Sequence, residues 1–317
     1  KNSMIKLLTK YLITSLKGFC MGAADIVPGV SGGTMALVLG IYKQFIEAIK
    51  SFDLIWLRSC LSLDLREIHN RPHFSFLIPL VFGVVCAIIF LTKIISLPSL
   101  LITNPEAIYA LFSGLVLGSA IILFKDATNV SALYSVSLIF GGLSLGIFIL
   151  TVAPTNLPDT TTTLFLAGVL ATSAMVLPGV SGSLVLLIIG KYTTILNALS
   201  TFDLHLLIPF SIGALTGLIA MSRVLSWIIN QHHLSFRLVM CGFLTASLYK
   251  IWPFQNREYL ESEGVMKLVN GTPYIPELNL DAFYAILWAL AGLTLVIWIT
   301  SRAVRPFIRS EKEIKHK

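Results

Sequence analysis

The sequence predicts an all-α integral membrane protein built as an inverted-topology repeat. Each half is a re-entrant broken-helix hairpin followed by three transmembrane helices. Three observations predict it. Of 317 residues, 56% are hydrophobic and 12% charged, more apolar surface than a soluble chain of this length can hide. Ile26-Val27-Pro28-Gly29-Val30-Ser31-Gly32-Gly33 is nearly repeated, 150 residues on, by Val176-Leu177-Pro178-Gly179-Val180-Ser181-Gly182-Ser183. Finally, a topology with inverted halves puts 18 Lys and Arg on one side and five on the other (Lys93, Lys191, Lys250, Arg257 and Lys267).

The first half is assigned to 1–152 and the second to 153–317. The first re-entrant hairpin spans 11–50. Pro28 removes a backbone donor, and Gly29, Gly32 and Gly33 permit unusual angles, so the helix should stop near Val27 and restart near Gly33. The second hairpin spans 164–199, and the match runs on through Gly40 and Tyr42, opposite Gly190 and Tyr192. The first ten residues hold three lysines, but the segment runs straight into the motif and is kept in the mature fold rather than assigned to a cleaved leader.

Apolar spans then follow at roughly 75–96, 107–124 and 131–151 in the first half, and at roughly 205–229, 236–252 and 281–301 in the second. Most reach the length of about 20 residues that crosses a bilayer. The repeat continues through them. Leu77-Ile78-Pro79 matches Leu207-Ile208-Pro209, Gly114 matches Gly242, and Gly142 matches Gly292. The offsets differ because each half carries an insertion in a loop. The first, 51–74, has apolar residues interspersed with Arg58, Arg66 and Arg71. It reads either as an amphipathic helix on the anionic inner leaflet or as a helix packed on the bundle. The second, 253–280, reads as an external loop, and a basic tail ends the chain. The charge split makes both termini cytoplasmic, so the two hairpins enter from opposite faces.

Unpaired backbone at membrane depth survives only where protein buries it or a cavity borders it. Free N–H groups beside hydroxyls favour an anion such as a phosphate or carboxylate. The candidate phosphate ligands are therefore Gly29, Ser31, Gly32, Gly33 and Thr34 in the first loop, with Gly179, Ser181, Gly182 and Ser183 in the second. The plainer alternative is a pair of kinks that let helices pack, but duplication in inverted halves favours a site. No GK[ST] follows either motif, so nucleotide binding is not indicated. Nothing points to nucleic acid.

Lys93 and Arg223 occupy equivalent repeat positions, Thr92-Lys93-Ile94 against Ser222-Arg223-Val224. They read either as headgroup partners, one in each access state, or as cations snorkelling to the interface. Asp25 has Met175 as its counterpart. It reads as a protonatable coupling group, a cation ligand or a structural partner for Lys17. Glu47, opposite Asn197, is a weaker candidate of the same kind, while Asp53 and Asp203 read as helix caps. The four scattered cysteines and six histidines show no ligand spacing, so no metal or cofactor is expected, and a proton or cation gradient remains available for coupling.

The stretch Lys17-Gly18, then Gly22 through Thr34, with Leu177 through Ser183, resembles the bacterial polyprenyl-phosphate transporters, the PopT family. The resemblance spans essentially the whole chain. It implies a flippase in the bacterial cytoplasmic membrane that returns undecaprenyl phosphate, the lipid carrier of cell-wall synthesis. The residues agree: one phosphate on an apolar tail needs a polar path for its headgroup alone. Two alternatives remain at this point, a transporter of a small soluble anion and a membrane enzyme acting on lipid phosphate. The enzyme reading lacks a nucleophile–base pair, since no His lies near either motif and Asp25 has no partner acid.

Overall fold

The computed structural model describes residues 2–27, 30–125, 131–152, 155–262, 265–277 and 279–303. In the first half, α1 (Asn2–Ile26), α2 (Gly32–Val38) and α3 (Tyr42–Lys50) form the motif region, and α4 (Leu54–Leu61) and α5 (Leu65–Asn70) fill the insertion. Then come α6 (Phe74–Ile89), which runs on through a π-helical turn at Phe90–Ile94, α7 (Leu97–Thr103), α8 (Pro105–Lys125) and α9 (Ala132–Thr151). The second half repeats the order: α10 (Thr161–Val176), α11 (Gly182–Ile188), α12 (Tyr192–Thr201), α13 (Leu204–Gln231), α14 (His233–Lys250) and α15 (Leu280–Ala303).

Both helices break where the sequence predicts. α1 stops at Ile26 and α2 starts at Gly32; α10 stops at Val176 and α11 starts at Gly182. Each short helix then turns through a glycine in the left-handed region, Gly40 at φ 68° and Gly190 at φ 69°. A side chain would strain that turn, which accounts for the match between these two glycines. α11 and α12 meet at 111°.

Five described helices are long and apolar enough to cross a membrane: Phe74–Ile94, α8, α9, α13 and Leu280–Ile299 of α15. The sequence-predicted span at 236–252 is helical as α14, but it is not among the five, since Arg237 and Lys250 dilute its 18 residues. The insertion at 253–280 departs from a plain loop: β1 (Gln255–Ser262) and β2 (Val265–Pro273) pair antiparallel, with a register irregularity between Glu258 and Tyr259.

The major helix pairs are α1 with α6, α10 with α13, α8 with α15 and α14 with α9. Each pair closes on glycines. A Cβ on Gly18 or Gly83 would strike backbone across the α1–α6 crossing, and one on Gly168 or Gly213 would do so across α10–α13. Gly114 and Gly292 make the α8–α15 crossing, and Gly142 and Gly242 the α14–α9 crossing, under the same constraint. These are repeat-equivalent positions, so the duplication reaches the packing contacts. Without a hydrophobic drive between helices in lipid, the packing that such close approach permits is one of the forces that hold helices together.

The insertion is tied down at its root. Asp53 caps α4 by accepting from the Trp56 N–H at 2.8 Å, and Asp203 accepts from the His205 N–H at 3.0 Å, as caps should. Asp53 also accepts from two guanidinium nitrogens of Arg71, Nε at 2.9 Å and Nη2 at 2.7 Å. That hydrogen-bonded guanidinium is the main cause holding the Asp53 pKa down at about 2, below its ordinary 3.8. A carboxylate stabilised this way contributes above its unfolded pKa and loses the contribution as pH falls through the folded value. Hydrogen exchange across α4 should therefore be pH-independent in protection above about 4 and lose protection toward pH 2. Asp53→Asn should show the low-pH pattern at neutral pH. Unchanged protection in that variant would show that the pair does not hold the insertion.

Candidate functional site

The two broken segments meet. Ser31 is the N-cap of α2, with φ −124°, and its hydroxyl oxygen accepts from the Gly33 N–H at 3.1 Å. The same hydroxyl donates to the Met175 carbonyl at 3.4 Å, in the other half. Thr34, one turn on and fully buried, accepts from the Gly179 N–H at 2.9 Å. Tyr42 donates its hydroxyl to the Val176 carbonyl at 3.0 Å. The last carbonyls of α10 and the second loop's Gly179 N–H thus find partners on α2 and α3. Such groups have no intrahelical partner of their own, and the contact is what allows both breaks to sit inside the protein.

The two loops differ in what they leave available. At the first, Asp25 accepts from the Gly32 N–H at 2.6 Å, so a carboxylate already occupies the place where an anion would bind. A Cβ on Gly32 would lie 2.6 Å from that carboxylate, so glycine is needed for this close approach. At the second, Met175 replaces Asp25 and is exposed. Ser181 makes no side-chain cap bond. Its hydroxyl instead lies 2.7 Å from that of Ser183, which is exposed. Two paired hydroxyls have one proton between them to spare and several free lone pairs, so they can still donate to a ligand oxygen. In this conformation the Ser31 and Thr34 hydroxyls and the Gly32 and Gly33 N–H groups are engaged elsewhere in the protein, whereas the Ser181 and Ser183 hydroxyls bond to each other. Gly29 and Pro28 lie outside the described residues.

The remaining charged candidates are spread out. Lys17 donates to the Leu39 carbonyl at 3.1 Å, at the C-terminal end of α2, rather than pairing with Asp25. Eight residues separate the two along α1, about 12 Å of helix, too far for a direct bond. The Lys17–Asp25 pair expected as one alternative does not form. Lys93 sits exposed in the π-helical turn, and Arg223 is exposed within α13. Among the described residues neither has a hydrogen bond or ion pair. Glu47 is better connected than its sequence ranking: it accepts from Ser226 at 2.6 Å and from Asn230 at 3.2 Å, and pairs with Lys50 at 3.5 Å.

Sequence reasoning missed the cross-half bonds of Thr34 and Tyr42. The matched Tyr42 and Tyr192 were a signal, but pairing across 134 residues is set by helix packing rather than by spacing. Comparison with known proteins completes the assignment. The family model described as VCA0040-like, undecaprenyl phosphate translocase-like, matches residues 21–267. A protein of Vibrio cholerae serotype O1 named polyprenyl-phosphate transporter is 37% identical over 246 residues, covering 77% of this chain and 79% of that one. One of Staphylococcus aureus with the same name is 33% identical over 262 residues, covering 76% and 86%. No solved structure matches the chain. The family and both relatives are transporters and not enzymes, which removes the membrane-enzyme alternative. With two broken helices joined by hydrogen bonds and a family match that spans both loops, this chain belongs to the VCA0040-like, undecaprenyl phosphate translocase-like family.

Proposed function

We propose that the chain is a flippase that returns undecaprenyl phosphate across the bacterial cytoplasmic membrane for cell-envelope synthesis, by alternating access. The observation that carries this is the meeting of two broken helices from the two halves, joined through Thr34 and Gly179, in a relative of polyprenyl-phosphate transporters. The two motif regions act as re-entrant hairpins of an inverted repeat, with both termini cytoplasmic. The phosphate is held first by Ser181 and Ser183 with the Gly182 backbone, and the Gly179 N–H joins them once it leaves Thr34. It passes to Ser31, Thr34 and the Gly29–Gly33 backbone once Asp25 releases the Gly32 N–H. A proton reaching Asp25 neutralises the carboxylate and favours that release, so no cofactor is needed. Lys93 and Arg223 attract the headgroup at opposite ends of the path, and the isoprenoid tail stays in lipid.

The test is leaflet exchange of labelled undecaprenyl phosphate in oriented proteoliposomes, with and without a pH gradient. A hydrogen bond to a charged group contributes about 1.5–3 kcal/mol, so Ser181→Ala and Ser183→Ala should each weaken phosphate binding about tenfold or more. Unchanged affinity in both would refute the side-chain part. Lys93→Gln should slow capture from the outer leaflet, and Arg223→Gln release at the inner one. Wild-type rates in both directions would eliminate that role. A single cysteine at Lys267→Cys should react with an impermeant reagent only from outside.

A further inference from the structure

The two halves differ at one equivalent interface. α3 lies across α13 of the other half, pinned by a polar cluster centred on Glu47. The Ser226 hydroxyl donates to the Glu47 carboxylate and accepts from Lys50 at 2.8 Å. The Asn230 amide reaches the same carboxylate oxygen, and Lys50 closes the group through its ion pair. The repeat equivalents of α3 and α13 are α12 and α6. Glu47 and Lys50 correspond to Asn197 and Ser200, and Ser226 corresponds to Ser96. α12 packs on α11 and α13 of its own half, and among the described residues it forms no extended interface with α6. Asn197 and Ser96 are both exposed.

In a molecule whose halves are built alike, an interface formed in one copy and open in its equivalent marks one of two conformations. We propose that the Glu47–Lys50–Ser226–Asn230 cluster is a latch that closes the face bearing the 51–74 insertion. Opening it lets α12 close on the end of α6 at Asn197 and Ser96. The inference rests on the alternating-access reading above and adds to it the residues that hold each state. The latches are chemically unequal. The closed one contains a carboxylate and an ammonium, and charge-assisted hydrogen bonds are stronger than neutral ones. The other has only an amide and hydroxyls. The conformation described here is therefore the resting one.

The experiment uses the full chain with its native cysteines replaced, and two engineered pairs. Ser96→Cys with Asn197→Cys, treated with a short, reducible, thiol-specific crosslinker, should link slowly. Adding Glu47→Ala should raise the linking rate about tenfold, the shift expected for losing a charged hydrogen bond. Glu47→Gln, which keeps the side chain's shape, should raise it in the same direction by less, and serves if the alanine variant folds poorly. In the second pair, Glu47→Cys with Ser226→Cys should link readily. The linked protein should lose undecaprenyl phosphate exchange in proteoliposomes and regain it on reduction. Linking at Ser96 and Asn197 that ignores both Glu47 variants would overturn the latch, as would full exchange by the Glu47–Ser226-linked protein. The first pair needs no substrate. A protein that moves no undecaprenyl phosphate yet still responds to Glu47→Ala would sink the substrate assignment and sustain the latch.

Discussion

Gly83→Leu should abolish recovery of folded protein, the largest effect expected of any single substitution here. Gly83 faces the Ser15 carbonyl on α1, and Gly18 on α1 faces the Leu80 carbonyl on α6, both too close for a Cβ. The obstacle is backbone on both sides, so no rotamer change relieves it and the helices must separate. Overpacking by even a methyl costs about 1–3 kcal/mol. Gly83→Ala should therefore fold with a lowered melting temperature, and the leucine variant should not fold. Gly141 is the control, since a Cβ there meets nothing within 4 Å. Gly141→Ala should match or exceed the parent, because alanine favours a helix by up to about 1 kcal/mol over glycine. Size-exclusion profiles and melting in detergent read all three. A Gly83→Leu protein that melts with the parent would mean the α1–α6 crossing is not what holds the half together.

The second large effect should come from Thr34→Val. The change keeps volume and branching but removes the acceptor for the Gly179 N–H, in a residue only 2% exposed. A buried donor left without a partner costs about 1–3 kcal/mol. The lost bond is also a join between the two broken segments, so exchange should fall further than stability. Thr34→Ser keeps the hydroxyl and should restore both. Ser181→Ala, by contrast, should leave melting unchanged, because its hydroxyl bonds only to Ser183 at the surface. If Thr34→Val retained parental melting and parental exchange, the join would have no role in either.

Much of this molecule is legible in its sequence, for identifiable reasons. The breaks at Ile26 and Val176 could be read because proline and glycine act locally. The helical spans could be read because apolar runs of that length are rare otherwise. The caps at Asp53 and Asp203 needed only neighbouring residues. What was not legible depends on distant chain. For Asp25 the sequence leaves open a coupling group, a cation ligand or a partner for Lys17, and none of these readings contains the Gly32 N–H across the break that it accepts from. Lys93 and Arg223 align in sequence, but the first lies in a π-helical turn near the end of its helix and the second lies within a regular one. A π turn shifts side-chain direction, so alignment does not fix a common orientation. The segment 253–280 carries glutamates, prolines and glycines that signal a loop, yet β1 and β2 pair within it.

The way the long helices pair has a consequence for how the protein is made. α8 packs on α15 and α9 on α14, so each of these first-half helices waits for a partner from the second half. Chain leaving the ribosome reaches the bilayer in order, and α8 and α9 are inserted while more than a hundred residues remain to be synthesised. During that interval Gly114 and Gly142 face lipid or the insertion machinery instead of the backbones they later touch. Neither half is therefore a unit that can be expressed to completion alone. Supplied as two separate polypeptides in one cell, the halves should rescue each other from degradation, because each carries the surface the other lacks.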